Sequence, residues 1–327
     1  MSDPPSASNW ASAYHDPVLA TEIVSLLGGA GRRVLDGTLG GGGHSAALVA
    51  SGASVVAVDR DPEAIVAARA RLAEAEREGR WMPVQANYAS LPAHPALEAP
   101  FDGVLLDLGI SSHQVDAAAR GFSFREGAPL DMRMGEDAER TAAEVLNEAD
   151  ERELFQLFKE YGDEPRAARL AREIGRRRET RPFETADDFV GAIRAVLGPR
   201  SGPAEFARLF QAVRIAVNDE LRGLDRALPE LRDRLASGGI LAVITYHSGE
   251  DRLVKHAFRE WSLDCVCPPR QITCTCRGRA LGELVTRRPQ LPSDEEIAHN
   301  PRARSAKLRA WRRAVESVPR PGRGAGA

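Results

Sequence analysis

This 327-residue chain has no apolar run long enough to span a bilayer, which argues against a helical membrane protein. Met1 to Ala13 lacks the apolar stretch of a secretory signal and is rich in Ser, Ala and Pro. It is expected to be a disordered leader, and the protein is expected in the cytoplasm. Cysteine is scarce: there are four, all between Cys265 and Cys276, so a disulfide scaffold is excluded. Net charge is only −3, so no global excess of either sign announces a polyanionic partner.

What is present is a core-forming composition, 43% hydrophobic and 28% charged. Arginines cluster at Arg166 to Arg181 and again at Arg302 to Arg313. Each cluster alone reads as a solvated helix face; two beside a catalytic domain are also expected to suit an RNA backbone.

Short apolar runs alternate with helical patterns in the first third of the chain. Arg33 to Leu39, Ala53 to Val58, Trp81 to Ala86 and Phe101 to Leu108 read as strands. Between the second and third, Pro62 opens a segment with Ile65, Ala68 and Leu72 at helical spacing. Strands alternating with helices imply a doubly wound, mostly parallel α/β sheet. Helical patterning then takes over from Ala138 to about Leu235, before strand character returns at Ile240 to Tyr246 behind a Ser237-Gly238-Gly239 turn. The expected division is a core at 14–137 and 205–313, an inserted helical domain at 138–204 and a disordered tail at 314–327.

The first strand runs into Asp36-Gly37-Thr38-Leu39 and the glycines 40–43. Glycines there let backbone amides approach a ligand. The acid at the strand end would repel a pyrophosphate and would suit the ammonium of a methionine group. Asp59, closing the second strand, is placed to accept from two ribose hydroxyls, while Asp61 fits better as the cap of the helix that follows. This pair of features fits nicotinamide dehydrogenases as well as methyltransferases. The discriminator lies downstream, where strand four ends in Asp107-Leu108-Gly109-Ile110-Ser111-Ser112. An amine on an aromatic base is a poor nucleophile, because its lone pair is delocalised into the ring. A site that methylates it needs acceptors for its protons, and Asp107 suits that role or that of a cofactor ligand.

These residues belong to a longer series. His15-Asp16-Pro17-Val18-Leu19, DGTLGGGGHS at Asp36 to Ser45, AVDRDPEAI at Ala57 to Ile65 and LLDLGISSHQVD at Leu105 to Asp116 are followed by RGFSF at Arg120 to Phe124 and PLDMRM at Pro129 to Met134. VNDEL at Val217 to Leu221, ITYHSGEDR at Ile244 to Arg252 and NPRARSAKLRA at Asn300 to Ala310 complete it. In this order the motifs resemble the bacterial 16S ribosomal RNA (cytosine-N4)-methyltransferase family, from His15 to about Trp311. The resemblance implies a class I S-adenosylmethionine-dependent methyltransferase fold with a helical, substrate-recognising insertion. It implies methylation of a cytosine N4 amine near the decoding site, with 16S RNA in the small ribosomal subunit as partner and no membrane. It further implies cofactor contacts at Gly42, Gly43, His44, Asp59, Tyr88, Asp107 and Gln114, with His44 acting through its backbone amide or its ring. Asp107 and His247 are the candidate catalytic residues. The family's polar His-Ser-Leu-Glu-Asp-Arg run has Gly249 in place of its leucine. No Pro-Pro-aromatic follows Asp107, so base stacking falls to Phe122, Phe124 or Tyr246.

Cys265, Cys267, Cys274 and Cys276 form two C-x-C pairs about a Pro-rich turn. In a reducing compartment they suit a structural zinc ion, or remain reduced thiols on a loop. The rival readings are a nicotinamide-dependent oxidoreductase, which leaves the DLGISS segment unexplained, and a non-catalytic RNA-binding ribosome-assembly factor that retains a cofactor pocket.

Overall fold

The computed structural model describes residues 17–315 apart from 99 and 272. The expected leader, and all of the expected tail beyond residue 315, lie outside the described residues. Seven strands form one sheet: β1 (Arg33–Asp36), β2 (Ser54–Asp59), β3 (Trp81–Gln85), β4 (Phe101–Asp107), β5 (Leu235–Thr245), β6 (Gly282–Leu284) and β7 (Lys307–Arg313). Their order is β3-β2-β1-β4-β5-β7-β6. The first five are parallel, whereas β7 runs antiparallel to both β5 and β6.

The helices are α1 (Ala20–Leu27), α2 (Gly43–Ala50), α3 (Pro62–Arg77), α4 (Pro95–Glu98), α5 (Ser112–Asp116), α6 (Ala142–Glu148), α7 (Glu151–Glu160), α8 (Ala167–Arg178), α9 (Ala186–Leu197), α10 (Pro203–Asn218), α11 (Glu220–Asp233), α12 (Ser248–Trp261) and α13 (Asp294–His299). Strands buried on both faces read as continuous apolar runs, and β1 shows why. Val34 packs with Ile23, Leu27 and Leu48 of α1 and α2. Its neighbour Leu35 points the other way, into a core with Leu224, Leu228, Val254 and Phe258 of α11 and α12. Asp61 caps α3 by accepting from Glu63 N at 3.1 Å, with Pro62 in the first turn.

Helices α6 to α9 carry a third core with α10, and that core is wider than the stretch 138–204. Phe122, Leu130, Met132 and Met134 from the loop before α6 are buried in it, as are Phe206, Phe210 and Val217 of α10. Asn218 pins the loop in place: its side chain accepts from Met134 N at 2.9 Å and donates to Met132 O at 2.8 Å. The VNDEL and PLDMRM motifs are therefore two halves of one contact.

Two readings of the sequence are corrected. Ser237-Gly238-Gly239 is not a turn before β5 but lies inside it, where the register with β4 shifts between Phe101–Leu235 and Gly103–Ile240. Gly238 takes a φ of 78° to absorb the irregularity. The arginine cluster ending at Arg313 is not a helix face. Its second half forms β7, in which Leu308, Ala310 and Trp311 are buried, while Arg302 and Arg304 stay exposed on the turn before it. Arg309 enters the sheet because Asp251 meets its guanidinium at 2.7 and 3.2 Å, and Arg312 pairs with Glu283. In α8 the second cluster is also partly spoken for. Arg178 donates to Leu146 O and Ala149 O, and Arg176 and Arg177 share Glu173.

Candidate active site

A crevice opens beyond the carboxyl ends of β1, β2 and β4, the place where open α/β sheets bind ligands. Gly37, Thr38, Gly40, Asp59, Tyr88, Asp107 and Gln114 line it, with Asn218, Glu220, Tyr246 and Glu250 closing the far side. The glycine tract makes the wall thin. Gly40, at a φ of 49°, has open space where a side chain would stand and donates its N–H to Asp59 Oδ2 at 2.7 Å. Asp61 N donates to the other oxygen at 2.9 Å. Each carboxylate oxygen can accept two hydrogen bonds and here takes one N–H, so one lone pair on each remains for a ligand's hydroxyls. Burial pushes the Asp59 carboxyl up to about 6, against the lowering effect of those two N–H donors.

Asp36 does not reach the crevice. It is fully buried and accepts from Ser45 Oγ at 2.8 Å and Thr38 N at 3.2 Å, and burial raises its carboxyl. It shapes the glycine loop from behind, so the expectation of an ammonium ligand there is withdrawn. Gly42, Gly43 and His44 are not among the lining residues. Gly42 begins α2 at a φ of 75°, where a Cβ would crowd Ala68 at 3.1 Å. Gly43 lies against Pro17. His44 is buried: its Nε2 donates to Val18 O at 2.8 Å, and its Nδ1 lies 3.6 Å from Asp107 Oδ2. The ring thus meets the acceptor loop from the protein side.

Asp107 closes β4 and is held on several sides. Its N–H donates to Thr38 Oγ1 at 2.6 Å, and its Oδ1 accepts the Tyr246 hydroxyl at 2.9 Å. Tyr246, which lines the crevice, is therefore anchored by its hydroxyl. Its ring lies against Gly109, where a Cβ would stand 3.3 Å from Cδ2, and burial with the neighbouring carboxylate drives its hydroxyl well above the usual phenol range. Gln114 spends both ends of its amide within the protein, accepting from Ser111 N at 3.1 Å and donating to Asp61 Oδ2 at 3.0 Å. It ties the DLGISS loop to the cap of α3. Tyr88 presents its ring at the crevice from a turn capped by Asn87.

His247 stands at the N-cap of α12. Its Nδ1 accepts Glu250 N at 3.4 Å, while the buried Glu250 carboxylate accepts His247 N at 3.3 Å and also Tyr246 N at 2.8 Å. This reciprocal arrangement is a capping box with histidine in the usual Ser/Thr place. It tolerates Gly249 because the polar ends carry the contact. His247 does not line the crevice, whereas Glu250 does.

A second cavity, of about 420 Å³, adjoins the first through Ile110 and lies against the helical module. Phe122, Phe124, Gln211 and Arg214 line it, and Ser123 Oγ is buried without a partner. Phe124 is 37% exposed and meets Phe206 and Phe210 edge-on, both at 5.9 Å between centroids. Arg214 forms a buried bidentate pair with Glu220, at 2.8 and 2.9 Å, which joins the walls of the two cavities. Thr38, Asn218, Glu220 and Tyr246 in its hydrogen-bonding role were not assigned from the sequence. VNDEL carried two of them in plain view, but a motif without a partner names no role.

The four cysteine sulfurs all lie within 4.8 Å of one another. Cys274 Sγ is 3.4, 3.8 and 3.9 Å from those of Cys276, Cys265 and Cys267, and Cys276 is 3.8 Å from Cys265. Backbone N–H groups of Gly278 and Val266 pull the Cys276 thiol down to about 6.

A reversed last strand on a parallel sheet is foreign to the dinucleotide-binding order, in which all strands are parallel. Together with the glycine loop, the acid at the end of β2 and the acid at the end of β4, it defines a class I S-adenosylmethionine-dependent methyltransferase. Within that class the chain belongs to the MraW methylase family, whose model matches residues 12–314. A ribosomal RNA small subunit methyltransferase H from Gemmatimonas aurantiaca is 64% identical over 94% of this chain and 98% of its own length. A protein of the same name from Myxococcus xanthus is 49% identical over 90% and 96%. Among solved structures, an rRNA methylase from Streptococcus thermophilus aligns at 11% identity and a TM-score of 0.40 over 90% of this chain and 93% of that one, a likeness too loose to add to the topology. No helix among the described residues is long and apolar enough to cross a membrane.

Proposed function

We propose that the chain transfers the methyl group of S-adenosylmethionine to the exocyclic N4 amine of a cytosine in 16S ribosomal RNA, near the decoding site. High identity to proteins named for small-subunit ribosomal RNA methylation supports the substrate class. The chemistry rests on one observation, the Asp107 carboxylate fixed by Tyr246 at the mouth of the crevice.

Bound S-adenosylmethionine supplies an activated methyl on its sulfonium. Asp59 suits its ribose hydroxyls and Tyr88 its adenine, while the glycine loop allows close approach. Asp107 accepts an N–H of the incoming amine, and its charge favours the positive nitrogen that develops on attack. Tyr246 and Thr38 hold that carboxylate in place, so no reorganisation is needed at the moment of reaction. Phe124, exposed in the adjoining cavity, suits stacking of the target base, and the helical insertion with the loop before it suits recognition of the surrounding RNA. The natural partner is then the small ribosomal subunit in the cytoplasm. The cofactor set includes a structural zinc ion at Cys265, Cys267, Cys274 and Cys276, apart from methyl transfer.

The test is transfer of labelled methyl from S-adenosylmethionine to small subunits and to naked 16S RNA, followed by nucleoside analysis. Label in N4-methylcytidine is the expected result. Label on another atom overturns the proposed acceptor, and cofactor binding without transfer favours the assembly factor.

A further inference from the structure

The segment between α12 and β6, residues 262–281, is long, irregular and held at its base. Leu281 N donates to Trp261 O at 2.8 Å, and Ala280 N to Asp264 Oδ1 at 3.1 Å. Beyond that base no described residue of the segment is buried. Val266 and Leu263 are exposed, at 37% and 44%. A loop of this length normally needs an apolar core or a covalent staple to offset the entropy of ordering it. Among its described residues this one has neither, yet it brings four sulfurs together at its centre.

Thiols are weak hydrogen-bond partners and give no reason for four of them, two exposed and two half-buried, to converge. A disulfide would bring one pair to about 2 Å, far closer than any pair here. A metal ion explains the spacing. Four thiolates about 2.3 Å from one tetrahedral ion stand about 3.8 Å apart. Four of the six sulfur separations span 3.4 to 3.9 Å around that figure, and all six lie within 4.8 Å. A polynuclear iron–sulfur cluster sets bridging sulfides and several irons between its thiolates, and the sulfurs here lie too close together for that. The N–H of Val266 donates to Cys276 Sγ at 3.3 Å, the kind of contact that favours a thiolate ligand.

Resting on the tetrathiolate site named above, we propose that residues 262–281 form a metal-folded arm, in which one Zn²⁺ replaces a hydrophobic core. The arm anchors the outer edge of the sheet. It leads directly into β6, which pairs with β7 at Gly282–Arg313, Glu283–Arg312 and Leu284–Trp311. That edge lies by the start of β5, where Ile240 pairs with Arg312, so the arm stands at the amino-terminal end of the parallel strands. The crevice is at the other end. Loading costs each protonated ligand its thiol proton, so uptake releases protons and weakens in acid.

The arm carries its own reporters, because trypsin cuts after arginine and Arg270, Arg277 and Arg279 lie within it. Full-length protein, prepared reduced and without chelator, is analysed for metal and then digested before and after stripping, with fragments mapped by mass. One zinc per chain is expected. Cleavage after Arg270 should rise about tenfold or more on stripping and fall back when Zn²⁺ alone is restored, while cuts elsewhere keep their rates. Zinc present but cleavage unchanged by its removal would overturn the folding role and leave the tetrathiolate site standing. No metal, and no absorption bands of tetrahedral thiolate coordination on adding Co²⁺, would remove the site and the arm's role together. Stripping wild-type protein avoids reliance on a cysteine variant that fails to fold.

Discussion

The two ends of the sheet are ordered by different means. At the carboxyl end, Asp107, Tyr246, Thr38 and Asp59 are fixed by hydrogen bonds within a buried frame of the chain's own atoms. At the amino end, the cysteine arm has no buried residue among those described and depends on what its sulfurs can hold. The contrast follows from what each end must do. A site that stabilises developing charge has to be preorganised, so its polar groups are set in low-dielectric surroundings. An arm outside the core has no such surroundings and needs a local clamp.

The sharpest way to break this comparison is at Asp107. Asp107→Asn keeps the shape and removes the charge, and a loss of turnover of roughly a hundredfold or more is expected, with cofactor affinity nearly kept. Single-turnover rates at saturating cofactor, measured beside calorimetric affinities, check this. Collapse of affinity with normal turnover would make Asp107 a cofactor ligand alone.

Tyr246→Phe tests the frame and not the charge. It deletes the donor 2.9 Å from Asp107 Oδ1 and keeps the ring against Gly109. Loss of one hydrogen bond to a charged group, about 1.5–3 kcal/mol, corresponds to a fall of between about ten- and about 150-fold in turnover. Restoration of the parent rate by the phenylalanine variant would show that Asp107 needs no such support.

Asp59 sharpens the comparison through pH. Its carboxyl titrates at about 6 because burial disfavours the charge. Folded Asp59 binds its proton more tightly than the unfolded chain does. Its contribution to stability is therefore full below the ordinary aspartate value and is lost as pH rises through about 6. Cofactor binding has the opposite sign, since ribose hydroxyls donate best to the ionised group. Affinity for S-adenosylmethionine should weaken several-fold as pH falls from 7.5 through 6, with Asp59→Asn weak and flat across the same range. A pH-independent affinity in the parent protein would take Asp59 out of the ribose site.

The smallest expected effect is none at all. If the two ends are independent, stripping metal from the arm leaves the calorimetric affinity for S-adenosylmethionine unchanged within error. A coupled change would mean that the sheet edge transmits to the crevice, and the comparison would have to be abandoned.

Arginine shows where sequence reading succeeds and where it fails. In α8 the 3.6-residue pattern was legible, with Leu170, Ala171 and Ile174 buried beneath a basic face. In β7 the same composition hid a strand. A period of two is masked when the inward polar position is an arginine, and Arg309 is tolerated only because Asp251, from a distant helix, neutralises it. Asp36 misled for a related reason. A strand-end acid next to a glycine loop looks like a ligand, and the Ser45 hydroxyl that keeps it inside becomes a neighbour only once α2 folds back.

The five parallel strands, the glycine loop, the carboxylates ending β2 and β4 and the helical insertion were legible in the chain. Each is written in local periodicity or in a contiguous motif, and local preferences need no distant partner. Which of those groups face the crevice depends on how the elements pack. That packing made Tyr246 the donor that holds Asp107, made His247 a helix cap, and set Gly42, Gly43 and His44 behind the wall instead of on it. It also drew the sulfurs of four cysteines to within 4.8 Å of one another. Roles of this kind depend on which side chains meet across 139 residues of chain, as Tyr246 and Asp107 do, and no local pattern records that meeting.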